Sequence, residues 1–172
     1  MKRTKLGAKT FEEALAKARQ VKMSSVKAAR KRVVKKKLPS ISLLKKKLWK
    51  LVSIKIRQRD KYTCFTSGVQ VSGSNAHCGH GIPNSVGGAL LRYHPYNLHC
   101  QSYVENIHHS GNGGIYYRNQ VLKYGQDKVN KLYELKNYTI KADRYFYNNL
   151  IDMYDEFELY EGEIVKFLEK YI

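Results

Sequence analysis

All six histidines and all three cysteines of the 172-residue chain fall between Cys64 and His109. They come as Cys64, then His77-Cys78-Gly79-His80 with Pro83 behind it, then His94, then Asn97-Leu98-His99-Cys100, then Asn106-Ile107-His108-His109. Imidazole titrates near neutrality and can take a proton from water, while Asn and His side chains can hold a divalent cation. Hydrolysis of a phosphodiester needs both functions, a base for the attacking water and a cation for the charge that grows on the phosphate. On this reading His80 is the base. Asn97 ties the following loop and orients the imidazole, Asn106 is a metal ligand on a helix, and His77 is the ligand from the strand. Each has a plainer alternative: His80 a buried, hydrogen-bonded histidine, Asn97 a helix cap, Cys64 a core thiol.

The elements that must position these residues are read from pattern. Residues 62 to 81, β-branched and aromatic with Gly and Ser turns, predict a β-hairpin or ribbon. Residues 83 to 88 read as loop, and Asn97 to about His109 as a short helix. Ile115 to Lys123 reads as a helix closed by Gly125, and Gln126 to Leu135 as another. Thr139 is expected to cap a last, long, Tyr-rich helix, whose aromatics follow helical spacing and belong to a core. Upstream, Ser40 is the expected N-cap of a helix that buries Leu44, Leu48, Leu51 and Val52. That helix should turn Lys45, Lys46, Lys47, Lys50, Arg57 and Arg59 outward. A further helix is expected from Thr10 to about Lys37.

Charge is distributed unevenly. Of 32 Lys and Arg, 22 lie in residues 1–61, which hold only three of the 14 acids, so the remainder of the chain is close to neutral. A basic arm on a near-neutral body is the footprint of a polyanion binder, with DNA the expected partner; a solvated tail is the alternative. No stretch is long and apolar enough for a membrane span, and three cysteines at no framework spacing suit reduced thiols, so a cytoplasmic, non-membrane protein is expected.

The chain resembles the HNH (ββα-metal) nucleases, and within them the phage NinG/Rap recombination endonucleases. The resemblance is carried by Cys64 and Gly68, Gly79, His80 and Pro83, Arg92, Asn97, His99 and Gln101, Asn106, Ser110-Gly111-Asn112, Tyr117-Arg118 and Gly125-Gln126, over about residues 42 to 136. It implies an α+β fold with a ββα-metal core (HNH, or His-Me finger), a basic N-terminal helical arm and C-terminal helices. The expected segments are an arm at 1–40, a nuclease core with its leading helix at 41–136, and a helical extension at 137–172. The implied function is metal-dependent cleavage of branched DNA, such as Holliday junctions or D-loops, leaving a 5′-phosphate and a 3′-hydroxyl. Arg92, His99, His108 and Asn112 are assigned accessory or phosphate-binding roles, and His94 the loop surface. A homodimer would suit symmetric cutting of two junction arms.

Two departures from the family pattern stand out. Its two C-x-x-C pairs become Cys64 with Ser67 and Ser102 with Glu105, so a structural zinc is expected to be absent, since a closed tetrahedral site needs four thiolate or imidazole ligands. A Cys/His site drawn from His77, Cys78, Cys100 and His108 is the alternative. The acid three residues before the family's base is His77 here, which should shift preference from Mg2+ toward Mn2+ or another transition metal. The rival functions are a catalytically degenerate HNH-fold protein that binds DNA or belongs to the virion, and a nonspecific nicking nuclease of packaging.

Overall fold

The computed structural model describes residues 13, 16–17, 19–22 and 38–171. The chain divides between Pro39 and Ser40 into two units. In the first, residues 13, 16–17 and 19–22 are helical; the rest of the helix expected from Thr10 to Lys37 lies outside the described residues.

The second unit begins with helix α1, Ile41–Arg59, capped by Ser40, whose Oγ accepts from the Leu43 N–H at 3.2 Å. Leu44, Leu48, Val52 and Ile56 form its buried stripe at 3-4 spacing, with Leu51 packed at the edge. Each such side chain contributes roughly 1.5–3 kcal/mol by leaving water. Strand β1, Ala76–His80, pairs antiparallel with β2, Leu98–Ser102, with His77 opposite Gln101 and Gly79 opposite His99. Between them lies α2, Asn84–Arg92, broken at Gly88, where φ is 56°. A π-helical turn, Val104–His108, follows β2 directly. Helices α3 (Gly113–Tyr124), α4 (Gln126–Glu134), α5 (Arg144–Asp155) and α6 (Phe157–Glu169) complete the unit. The architecture is thus α+β, mostly helical around one small sheet.

One core joins the α1 stripe to Leu90, Leu91, Leu98, Leu132, Leu135 and the inner faces of α5 and α6, including Phe146, Leu150, Tyr154 and Ile164. The C-terminal helices are therefore part of the same core as the sheet's leading helix. A second, smaller cluster, Cys64, Val71, Ala76 and Cys100, lies toward the other end of the same sheet face.

Several local expectations are corrected. Residues 62–81 do not pair with themselves beyond one bridge, Thr63 to Gln70. The turn at Cys64–Gly68 docks instead onto β2, with Phe65 N–H donating to the Cys100 carbonyl at 2.7 Å, so β1 takes its partner from residues 98–102. Leu98–Ser102 is a strand and not a helix; all five residues are buried, so the alternation that marks a half-exposed strand is missing. Asn84–Arg92 is helical despite its two glycines. The last helix is two, broken near Glu156, and its cap is Asp143, whose Oδ1 accepts from Phe146 N–H at 2.9 Å.

Candidate functional site

His80 ends β1 with its ring stacked on Trp49 of α1, centroids 5.2 Å apart and planes 13° from parallel. Its Nε2 lies 3.3 Å from the carbonyl oxygen of Arg92. A carbonyl only accepts, so the neutral ring carries its proton on Nε2, which leaves the Nδ1 lone pair free. Burial pushes the imidazole down to about 4 against the opposing pull of that carbonyl, and it is neutral at physiological pH.

Asn97 is fully buried at the start of β2. Its Oδ1 accepts from Ile82 N–H at 2.7 Å, and its Nδ2 donates to the carbonyls of Ile82 and Leu91 at 3.1 and 2.9 Å. These anchors lie two residues after His80 and one before Arg92. Asn97 thereby holds both ends of the loop and helix that present the Arg92 carbonyl to the imidazole.

His77 and Asn106 come together: Asn106 Nδ2 is 3.0 Å from His77 Nδ1. With the imidazole nitrogen accepting, the amide oxygen Oδ1 of Asn106 turns toward Gly79, where it would stand 3.1 Å from a Cβ built on that glycine. Gln101 fills the same space, its Oε1 only 1.9 Å from that Cβ position. The amide of Gln101 is oriented by donation from Nε2 to the Gly111 carbonyl at 2.8 Å, and its buried Oε1 has no partner. Two amide oxygens therefore converge over Gly79, on the face of β1 that carries His77 and opposite the His80 ring. An open cleft of about 430 Å³ reaches this place, lined by Trp49, Ser53, Arg57, His77, Cys78 and Asn106 among others.

His80 does not join the His77–Asn106 pair. Three residues apart on a strand, the two histidines leave opposite faces of the sheet, about 10 Å apart along it. The element that bridges them is α1, whose Trp49 both stacks on His80 and lines the cleft. Sequence reading gave no role to Trp49 or Gln101. That Trp49 is the only tryptophan, and that Gln101 stands among the motif residues, were the available signals.

The other assigned residues separate by burial. Lys45, Lys46, Lys47 and Lys50 are exposed on α1. Arg57 lines the cleft, held by donation to the carbonyls of Ser53 and Ala76 at 2.9 and 2.8 Å. Arg59 is not on the outward face: its side chain is 13% exposed, forked onto Asp60 at 2.8 and 3.2 Å, and it donates to the carbonyls of Pro95 and Leu98. As α1 ends, its last turn passes under the loop before β2, and the guanidinium satisfies carbonyls that loop would otherwise bury unpaired. His99 is likewise buried. Its Nδ1 is 3.0 Å from Asp60, its Nε2 is 3.1 Å from the Tyr124 hydroxyl, and Phe65 stacks on it at 3.6 Å, so it cannot reach a phosphate. His94 is also fully buried, at the cap of a 3-10 turn, and not on the loop surface. His108 is exposed, Arg92 half-buried, and Asn112 donates to Glu105 at 2.8 Å.

The four positions of the family's C-x-x-C pairs are laced by hydrogen bonds. Cys64 Sγ accepts from Ser102 N–H at 3.2 Å, and Ser102 Oγ accepts from Glu105 N–H at 3.1 Å. Burial alone would raise the Cys64 thiol, but hydrogen bonds from Ser67, Thr66 and Ser102 bring it down to about 7.

The family described as "Bacteriophage Lambda NinG protein" matches residues 1–160. The chain belongs to the NinG family. Comparison with curated proteins and with solved structures gives no significant match. NinG membership extends well beyond the motif-bearing segment, over the basic arm and into α6, and it indicates a phage recombination-related function. No helix among the described residues is long and apolar enough to cross a membrane.

Proposed function

We infer that this NinG-family protein is a metal-dependent endonuclease that cuts branched DNA. The observation that carries the reading is the His80 imidazole, neutral, with one nitrogen bound to a backbone carbonyl and the other free. That is the state a general base must be in before it takes a proton from water. Asn97 positions the base by pinning Ile82 and Leu91, Trp49 holds the ring plane, and the lysines of α1 with Arg57 supply the positive surface that draws the DNA backbone in.

The residues fit a divalent cation of modest affinity. Among the described residues, no group of three or more His, Cys, Asp and Glu side chains could hold a metal ion. The unpartnered Gln101 Oε1 and the Asn106 Oδ1 nevertheless converge as oxygen donors, with His77 holding the Asn106 amide in place. Neutral donors attract a hard cation weakly, so this set suits one that arrives together with the anionic phosphate. When bound, the cation would neutralise charge growing on the phosphate and on the leaving oxygen. His77, expected as the ligand from the strand, here positions Asn106, and the strand's oxygen donor is Gln101.

A second reading is favoured by the same neutral donor set: a DNA-binding protein that retains the fold without hydrolysis. Incubating the full chain with a labelled four-way junction and a matched linear duplex, in Mg2+, in Mn2+ and in EDTA, separates the two. Metal-dependent cutting of the junction in preference to the duplex supports the nuclease. Binding with no product in any lane supports the rival.

A further inference from the structure

Beside the His80 site, and separate from the cleft that leads to Asn106, a cavity of about 330 Å³ lies among α1, α2 and α5. Lys45, Asn84, Gly88, Arg92, Tyr93 and Tyr147 line it, and none of its lining residues is acidic. The Tyr93 side chain is the informative one. The residue is 1% exposed, and its hydroxyl, buried at the cavity, lies beside the Arg92 guanidinium, a donor, with no acceptor for its own proton. A buried hydroxyl without an acceptor is costly, and the lining around it brings two cations and no carboxylate. Arg92 makes no ion pair among the described residues; its guanidinium lies 5.4 Å from the Trp49 ring and 5.8 Å from that of Tyr93. Lys45 makes none either, its ammonium resting 5.8 Å from the Tyr147 ring. Burial holds the Tyr93 phenol up to about 12, so it remains a donor across the whole working pH range.

Two cations, two tyrosines and an amide facing one cavity, with no carboxylate among them, are complementary to a compact anion with several oxygens. We propose that this cavity binds a phosphate of the DNA backbone adjacent to the phosphate presented to His80. Arg92 links the two places, since its carbonyl holds His80 Nε2 while its guanidinium faces the cavity. A strand seated there would be held in register against the imidazole by a contact that reads phosphate and not base, consistent with recognition of DNA shape. The inference rests on DNA as the partner, not on hydrolysis.

The test uses the full chain in EDTA, where no cleavage occurs, and measures two quantities for the wild type, Tyr93→Phe, Arg92→Gln and Lys45→Gln: the affinity for a fluorescein-labelled four-way junction across a salt series, and the change in Tm on adding inorganic phosphate. Tyr93→Phe removes only a hydroxyl whose proton has no acceptor and should leave the unfolding midpoint in buffer nearly unchanged. It should weaken junction binding by about tenfold, the loss of one hydrogen bond to a charged group, and abolish the stabilisation by phosphate. Arg92→Gln and Lys45→Gln should each flatten the salt dependence by about one ion. Unchanged junction affinity and unchanged phosphate stabilisation in Tyr93→Phe would overturn the proposal. Loss of phosphate stabilisation with full junction affinity would also overturn it, pointing to a free or terminal phosphate as ligand. Failure of the wild type to cut DNA in Mg2+ or Mn2+ would contradict the nuclease reading alone and leave these binding results standing.

Discussion

The ring of His80 and the carbonyl of Arg92, 3.3 Å apart, are brought together across a twelve-residue gap in the chain by a side chain that touches neither: Asn97, bonded to Ile82 and Leu91. Asn97→Ala removes three buried hydrogen bonds and leaves the Ile82 carbonyl and N–H without partners, while the Leu91 carbonyl keeps the Tyr93 N–H. A loss of roughly 3 kcal/mol in unfolding free energy is expected. Asn97→Asp should be worse at neutral pH, because a carboxylate would then face the carbonyls of Ile82 and Leu91 while buried. Urea denaturation of the two variants at pH 7 checks the order.

His94 and His99 are both fully buried, and burial pushes each down to about 3. Unfolded, they titrate near 6.5. Between these values the unfolded chain binds more protons than the folded one, so stability falls as pH drops through that window and is fully present above about 7. Thermal melts from pH 7.5 to 4.5 should show Tm falling steadily below pH 6.5. Replacing His94 by a neutral isostere such as Gln should make the fall shallower.

Arg59 and Lys45 to Lys47 all carry positive charge on α1, but they should behave oppositely. Arg59→Met strips a buried partner from Asp60, whose carboxyl burial would raise but which the hydrogen bonds of His99 and Arg59 hold well below the usual carboxylate range. The carboxylate keeps His99, the Cys100 N–H and, at 3.5 Å, Lys123, but loses its closest cation, and the Pro95 and Leu98 carbonyls lose a donor; a cost of about 3 kcal/mol is expected. Changing Lys45, Lys46 and Lys47 together to Gln should leave stability within about 0.5 kcal/mol and reduce the salt slope of DNA binding by about two to three. Chemical denaturation and fluorescence anisotropy on the same preparations distinguish the two kinds of arginine and lysine.

His77→Asp retains an acceptor for the Asn106 amide and adds the anionic oxygen that the cation site lacks. It is expected to raise Mg2+ affinity by at least tenfold and to raise the ratio of Mg2+- to Mn2+-supported cleavage, measured by calorimetric titration and by initial rates.

What could be read from the sequence was what local chemistry decides. Ser40 as cap, Leu44, Leu48 and Val52 as the buried stripe and the Gly125 stop all follow from short-range pattern, whereas Ile56 as the stripe's next member had gone unread. What could not be read was decided by tertiary burial. Leu98–Ser102 lost its strand signature because both of its faces are covered. Arg59 looked like another surface cation because the acid and carbonyls that hold it come from residues 60 to 161. His94 looked like loop surface and His99 like a phosphate contact for the same reason, since nothing in their neighbours announces the Asp60, Phe65 and Tyr124 cage around His99. The role of Gln101 needed the strand register that sets it across from His77 and over Gly79.

The most direct measurement compares wild type and His80→Ala in single-turnover cleavage of a labelled four-way junction in Mn2+, with junction affinity determined on the same samples in EDTA. The account predicts that the variant binds within about threefold of wild type and cuts at least about a hundredfold more slowly, the usual share of a general base. Equal cleavage rates for the two proteins would contradict the assignment of His80.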